Sequence, residues 1–155
     1  MGLITLSGAS IVVATLTPFP TLAQEVAQVS GLASQTMTVL VVNSTTGNNT
    51  ISDGTDRAPF RTITRALQVA QPNTVVLLAP GSYTAETGES FLIQLKPRVT
   101  IQGNSETRGE GIVIQGSGAF LCRTFARQNV TILGEDQAGL VRVTVTNSQP
   151  QGYGL

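Results

Sequence analysis

The sequence changes period once and does not change back. From Pro59 to Ala70 the apolar residues Phe60, Ile63, Ala66, Leu67 and Ala70 recur at helical spacing, with Arg61, Arg65 and Gln68 on the opposite face. Pro59 suits a first helical turn, where its missing N–H is not needed, and Pro72-Asn73 stops the pattern. Before it stand a β-rich run, Thr38 to Asn43, and a polar, turn-rich loop, Ser44 to Asp56. After it come only short apolar runs: Thr74–Leu78, Phe91–Leu95, Val99–Gly103, Ile112–Gly116, Val130–Gly134 and a longer run from Leu140 to Asn147. No second helical pattern follows that might support an alternating α/β sheet.

Three of these runs share the unit [Val/Ile]-x-Ile-x-Gly: Val99-Thr100-Ile101-Gln102-Gly103, Ile112-Val113-Ile114-Gln115-Gly116 and Val130-Thr131-Ile132-Leu133-Gly134. The gaps between runs are unequal. A sandwich or barrel predicts tight hairpins, whereas stacked coils tolerate loops of any length because these leave the stack sideways. The sequence therefore predicts an all-β fold, a right-handed parallel β-helix. Apolar members of each repeat stack on those of the next coil, and the terminal Gly turns the corner with positive φ. The face made by Phe60, Ile63, Ala66, Leu67 and Ala70, introduced by Pro59, is expected to cap the open first coil. With coils of ~20 to 30 residues, the span from Val75 holds about three.

The segment Val42-Asn43, Gly47, Gly54-Thr55, Pro59-Phe60-x-Thr62-Ile63-x-x-Ala66-Leu67, Ala70-x-Pro72-x-x-Val75, Leu78 and Pro80-Gly81-x-Tyr83 resembles the opening segment of right-handed parallel β-helix proteins, the pectate-lyase-like group. It looks most similar to a cyanobacterial branch, a domain of unknown function in secreted proteins. Leu95-Lys96-Pro97-x-Val99-Thr100-Ile101-x-Gly103 and Gly152-Tyr153-Gly154-Leu155 belong to the same likeness, which covers roughly residues 39 to 155. The resemblance implies the fold and the N-terminal cap. It does not single out an activity, since lyases, epimerases, glycosidases and non-catalytic surface proteins share this opening. Members of the group usually have more coils, so the sequence reads as the N-terminal piece of a longer solenoid or as a truncated gene.

Residues 1–23 carry no charge; an apolar stretch from Leu3 to Leu16 precedes Pro18, Pro20 and the junction Ala23-Gln24. This is the pattern of an export signal lacking a basic start, cleaved after Ala23, with residues 24–37 as a polar lead-in to a domain at 38–155. The expected location is secreted, periplasmic or cell-surface. No membrane span is expected once the signal is removed.

Chemistry is sparse. The sequence has no His and only three Asp residues, Asp53, Asp56 and Asp136, all in loops, so no acid–base pair is expected on a strand face. Charges balance at nine basic and nine acidic, which offers nothing to a nucleic acid. Cys122, between apolar and basic neighbours and without a His, reads as a buried inert thiol. Asn48, Asp53, Gly54 and Asp56 form an oxygen-rich loop that reads as Asx turns leading to the helix, Asp56 facing its dipole, rather than as a calcium site. Glu135-Asp136 reads as a solvated turn, and Arg123, Arg127 and Arg142 as solvent-facing. Catalytic residues, metal and cofactor are expected to be absent. The function these features suggest is an exported, non-catalytic module meeting a polysaccharide or cell-surface glycan. The alternatives are the N-terminal part of a polysaccharide lyase, hydrolase or epimerase with its catalytic coils beyond residue 155, or a scaffold associating end to end.

Overall fold

The computed structural model describes residues 36–121 and 127–149. The expected export signal, the lead-in as far as residue 35, Cys122, Arg123 and the closing Gly152-Tyr153-Gly154-Leu155 lie outside the described residues. The described residues form mostly strands with one α-helix. In chain order these are β1 (Thr38–Val42), α1 (Ile63–Val69), β2 (Thr74–Leu78), β3 (Gly81–Tyr83), a 3₁₀ turn (Ala85–Thr87), β4 (Ile93–Gln94), β5 (Val99–Gly103) and β6 (Ile112–Gly116). They continue as β7 (Gly118–Leu121), β8 (Arg127–Val130), β9 (Ile132–Leu133), β10 (Gly139–Val141) and β11 (Thr144–Asn147).

The strands assort into three parallel sheets. Sheet A has the order β1-β2-β5-β10, sheet B the order β3-β6-β11, and sheet C pairs β4 with β9. From β2 onward the chain visits A, B, C, A, B, C, A and B; an antiparallel hairpin, β7–β8, is inserted before the second visit to C. Registers are without slip, so inward positions line up: Leu40, Val76, Ile101 and Leu140 in sheet A, Tyr83, Ile114 and Val145 in sheet B, Ile93 and Ile132 in sheet C. All join one hydrophobic cluster, and Val76, Ile101, Ile114 and Tyr83 are fully buried in it. Period-two alternation is what makes this possible: Val99–Gly103 and Thr74–Leu78 each bury every second residue.

Several expectations need correction. Val99–Gly103 and Ile112–Gly116 are not neighbours in one sheet; they are β5 in sheet A and β6 in sheet B, and the in-register partner of β5 is Thr74–Leu78. The repeat thus marks successive faces. The third copy is broken, with Val130 ending β8 and β9 confined to Ile132–Leu133. Phe91–Leu95 contributes only Ile93–Gln94. The single run Leu140 to Asn147 is two strands in different sheets, parted by Arg142 at φ 54°. The glycines closing the repeats do not have positive φ. Gly103 is required because a Cβ there would stand 1.9 Å from the Arg142 carbonyl oxygen. The left-handed corners fall instead on Asn73, Arg98 and Gln137, at φ 67°, 59° and 54°, each just ahead of a sheet A strand. These corners are tied together: the Asn73 amide donates to the Arg98 carbonyl at 2.9 Å and the Arg98 amide to the Asp136 carbonyl at 3.0 Å.

The helix is also shorter than expected. It begins at Ile63 with Thr62 as N-cap, whose hydroxyl accepts from the Arg65 amide. Pro59 is half-buried ahead of the helix, and Phe60 forms a parallel bridge with Val42. A left-over strand edge explains this, since pairing Phe60 with β1 satisfies backbone groups that a longer helix would leave open. Phe60, Ile63, Ala66, Leu67 and Ala70 are all buried, and α1 packs against β1, β2 and β4.

Tyr83 carries the only phenol among the described residues, and its ring is fully buried. Its hydroxyl lies 2.8 Å from the Ala79 carbonyl and 3.0 Å from that of Val42, so one proton serves two acceptors. Burial, reinforced by the Glu89 charge and opposed by the Ser44 and Ala79 backbone, pushes this phenol well above its ordinary range. Above about pH 10 an unfolded chain releases this proton while the folded chain keeps it, so folding binds a proton and stability falls as pH rises, by up to about 1.4 kcal/mol per pH unit. Tyr83→Phe removes that dependence but leaves carbonyls short of a donor. The predicted result in urea titrations is a stability gap between wild type and variant that is constant below about pH 9.5 and narrows above pH 10; a gap that stays constant to high pH contradicts it.

Candidate functional site

Sheet B presents a polar outer face. Its register places Ser82 beside Val113 and Val113 beside Thr144, and Gln115 beside Thr146. Ser82, Gln115, Thr144 and Thr146 are exposed. Period-two alternation sends their neighbours Tyr83, Ile112 and Ile114 inward, so the outward set is fixed by the same pattern that builds the core. At one end of this face lies a groove of about 320 Å³ lined by Thr84, Ala85, Glu86, Phe91, Gln115, Gly116, Ser117 and Ser148.

Local hydrogen bonding holds the groove in shape. Thr84 and Thr87 form a reciprocal capping box around the 3₁₀ turn, and Gly88 closes it at φ 95°. Phe91 is half-buried and packs against the core cluster; Gly116 shares the inward parity of Ile112 and Ile114, and a Cβ there would fall 2.4 Å from the Phe91 ring carbons. Gly116 thereby makes room for the ring on the inner side of β6, and the ring's edge reaches the groove. On the inner side, the Thr131 hydroxyl lies 2.7 Å from the Gly116 carbonyl and 2.9 Å from that of Thr146, joining β6 to β11.

Between the groove and the helix stands Glu89, buried although it is a carboxylate. One oxygen accepts from the Ile63 amide at 2.6 Å; the other accepts from the Thr64 amide at 3.0 Å, the Thr64 hydroxyl and the Ser90 amide at 3.1 Å. The Ile63 and Thr64 amides are donors of the first helical turn that have no partner within the helix. Sequence analysis places Asp56 here; the structure places Glu89, from 26 residues along the chain, and leaves Asp56 exposed. Asn49 completes the clasp, accepting from the Arg61 and Thr62 amides at 2.9 and 3.2 Å. At the other end, Lys96 Nζ donates to the Gln68 and Ala70 carbonyls at 2.9 and 3.1 Å.

The remaining polar candidates resolve into structural roles. Asn48 Oδ1 accepts from the Thr50 and Ile51 amides, and Asp53 Oδ1 from the Thr55 amide and hydroxyl. These bonds hold the Asp53 carboxyl below its ordinary range. Among the described residues no group of three or more His, Cys, Asp or Glu side chains is placed to hold a metal ion. Glu135 accepts from Gln94 Nε2 at 3.0 Å on an exposed turn with Asp136. Arg127 and Arg142 are exposed. The structure does bring two carboxylates, Asp56 and Glu106, to one groove of about 360 Å³, on separate loops beside Val41, Leu77 and Pro80. A third groove, of about 380 Å³, runs along the left-handed corners at Asn73, Arg98 and Gln137. Neither combines an aromatic wall with a row of hydroxyls and amides, and among the described residues no helix is long and apolar enough to cross a membrane.

Glu89 is the residue sequence reasoning misses, and its removal is predicted to act on helix and groove together. Glu89→Ala takes the acceptor from the buried Ile63 amide and from the part-buried Thr64 and Ser90 amides. The expected loss is about 2–4 kcal/mol in urea denaturation, with faster hydrogen exchange at both 63–65 and 84–91. Glu89→Gln is expected to lose less. An unchanged midpoint in Glu89→Ala would show that the carboxylate does not hold the helix.

Residues 45–155 match a family described as a protein of unknown function, DUF1565. Neither the curated proteins nor the solved structures include a significant match to the chain. The matched span runs from the loop after β1 through α1 and all of the later strands, most of the chain. The chain belongs to the DUF1565 family.

Proposed function

We propose that the chain is the opening part of a right-handed parallel β-helix of the pectate-lyase-like group, in its cyanobacterial branch. We further propose that it is exported and acts as a non-catalytic module contacting a carbohydrate through the outer face of sheet B. The cyclic order of sheets A, B and C and the slip-free register support the architecture, as does the association of this family with β-helix-like proteins. On this reading α1 is the lid: Pro59 leads into it, and Phe60, Ile63, Ala66, Leu67 and Ala70 cover the first coil where β1, β2 and β4 begin the stack. A crystal structure with a left-handed path between the sheets would sink the architecture.

One observation carries the carbohydrate reading: Gln115 and Thr146 pair side by side on the exposed face of sheet B, with Ser82 and Thr144 flanking Val113 on the same face, and Gln115 joins Phe91, Ser117 and Ser148 in lining the groove at its end. Sugars offer hydroxyls that both donate and accept, and ring faces that pack on aromatic rings. The groove has a single carboxylate, Glu86, and so no acid–base pair for glycoside cleavage. The uncharged residues 1–23 and the Ala23-Gln24 junction support export.

Both parts are open to test on the full chain expressed in a secreting host. The exported product is expected to start at Gln24 by mass spectrometry; a cytoplasmic product beginning at Met1 contradicts export. In affinity electrophoresis through gels containing polysaccharides, the mature chain is expected to be retarded. Gln115→Ala with Thr146→Ala, two exposed positions, should weaken retention roughly tenfold, as two lost hydrogen bonds predict. Free migration in every glycan gel removes the carbohydrate part.

A further inference from the structure

We infer that the sheet B groove selects uncharged sugars and rejects polyuronates, so that its ligand is a neutral polysaccharide. This deepens the carbohydrate-contacting reading above and rests on it. Glu86 is the only ionisable residue among those lining the groove, and it is exposed in the first turn of the 3₁₀ turn. The Thr84–Thr87 capping box fixes the backbone that carries it. The other polar wall residues, Thr84, Gln115, Ser117 and Ser148, each donate and accept, which suits neutral hydroxyls.

A uronate carboxylate needs cationic or N–H donors, and the described wall supplies no cation. Arg61 reaches the same segment but donates its Nε–H to the Thr87 carbonyl at 3.1 Å and does not line the groove. Arg127 stands opposite Leu121, at the end of the β7–β8 hairpin away from Gly118. Among the described residues that line the groove, a uronate therefore meets the like charge of Glu86 and no cation.

Affinity electrophoresis of the mature chain in gels of mixed-linkage glucan, galactomannan and polygalacturonate tests this, at about 20 mM and about 500 mM salt, where screening lengths differ several-fold. The expected result is retention by at least one neutral polysaccharide at both salts, with polygalacturonate bound about tenfold more weakly at low salt and the gap narrowing at high salt. Glu86→Gln is expected to close the gap at low salt, read as the ratio of polygalacturonate to neutral retention in the same variant. Polygalacturonate retained as strongly as or more strongly than the neutral glycans, or a gap that Glu86→Gln leaves intact, overturns the selectivity and leaves the carbohydrate reading standing. Retention by none of the three overturns both.

Discussion

Slip-free parallel pairing is the constraint on which the rest of this structure depends. Val75 meets Thr100 and Val76 meets Ile101, and each pair fixes which residues go inward for the whole circuit. A slip of one residue would send Val76 and Ile101 to solvent and Thr100 to the core. Parallel strands cannot be joined by a tight turn, so the chain must travel elsewhere before returning to sheet A. Here it travels through sheets B and C, whose own strands obey the same rule. The polar outer face of sheet B is thus a by-product of core registry. Ser82 and Gln115 face outward because Tyr83 and Ile114 must face inward.

The start of the stack raises a different problem. The first strand has a free edge and the helix has free amides, and both sit beside the core. The chain answers with polar side chains drawn from far along the sequence. Asn49 and Glu89 receive the amides around the helix N-terminus, Lys96 meets carbonyls at its other end, and Tyr83 bridges Val42 to Ala79. A buried carboxylate is costly unless its hydrogen bonds are made, and Glu89 has partners for both oxygens. The groove rim is built from the same segment, residues 84–91, so the start of the core and the candidate site share one support.

How much of this was legible in the sequence follows from the range of the forces involved. β2, β5 and β6 stand where the short apolar runs Thr74–Leu78, Val99–Gly103 and Ile112–Gly116 lie between turn residues, because such runs are local and strong signals. The apolar helix face was legible for the same reason, but its start was not, since the bridge between Phe60 and Val42 depends on a strand 18 residues earlier. β3 and the β7–β8 hairpin have too few alternating residues to announce themselves. Leu140 to Asn147 alternates continuously, and only the backbone at Arg142 divides it. The groove was hidden because Phe91, Gln115 and Ser148 converge only through register. Glu86 and Glu89 look alike in sequence, yet one is exposed at the groove and the other is buried under the helix.

The segment that opens the stack also gives sheet A a direction. On its outer side β1 is engaged: the Val41 amide donates to the Gly54 carbonyl, the Phe60 amide to the Val41 carbonyl and the Asn43 amide to the Phe60 carbonyl. Among the described residues the opposite edge, β10, borders no further strand. Gly54 and Phe60 occupy the outer hydrogen-bonding groups at the Val41–Asn43 end of β1, so a strand cannot pair along the whole of that edge in register, whereas the Gly139–Val141 edge meets no such block among the described residues. Sheet A is thus asymmetric towards further pairing, obstructed beside its first strand and open beside its last.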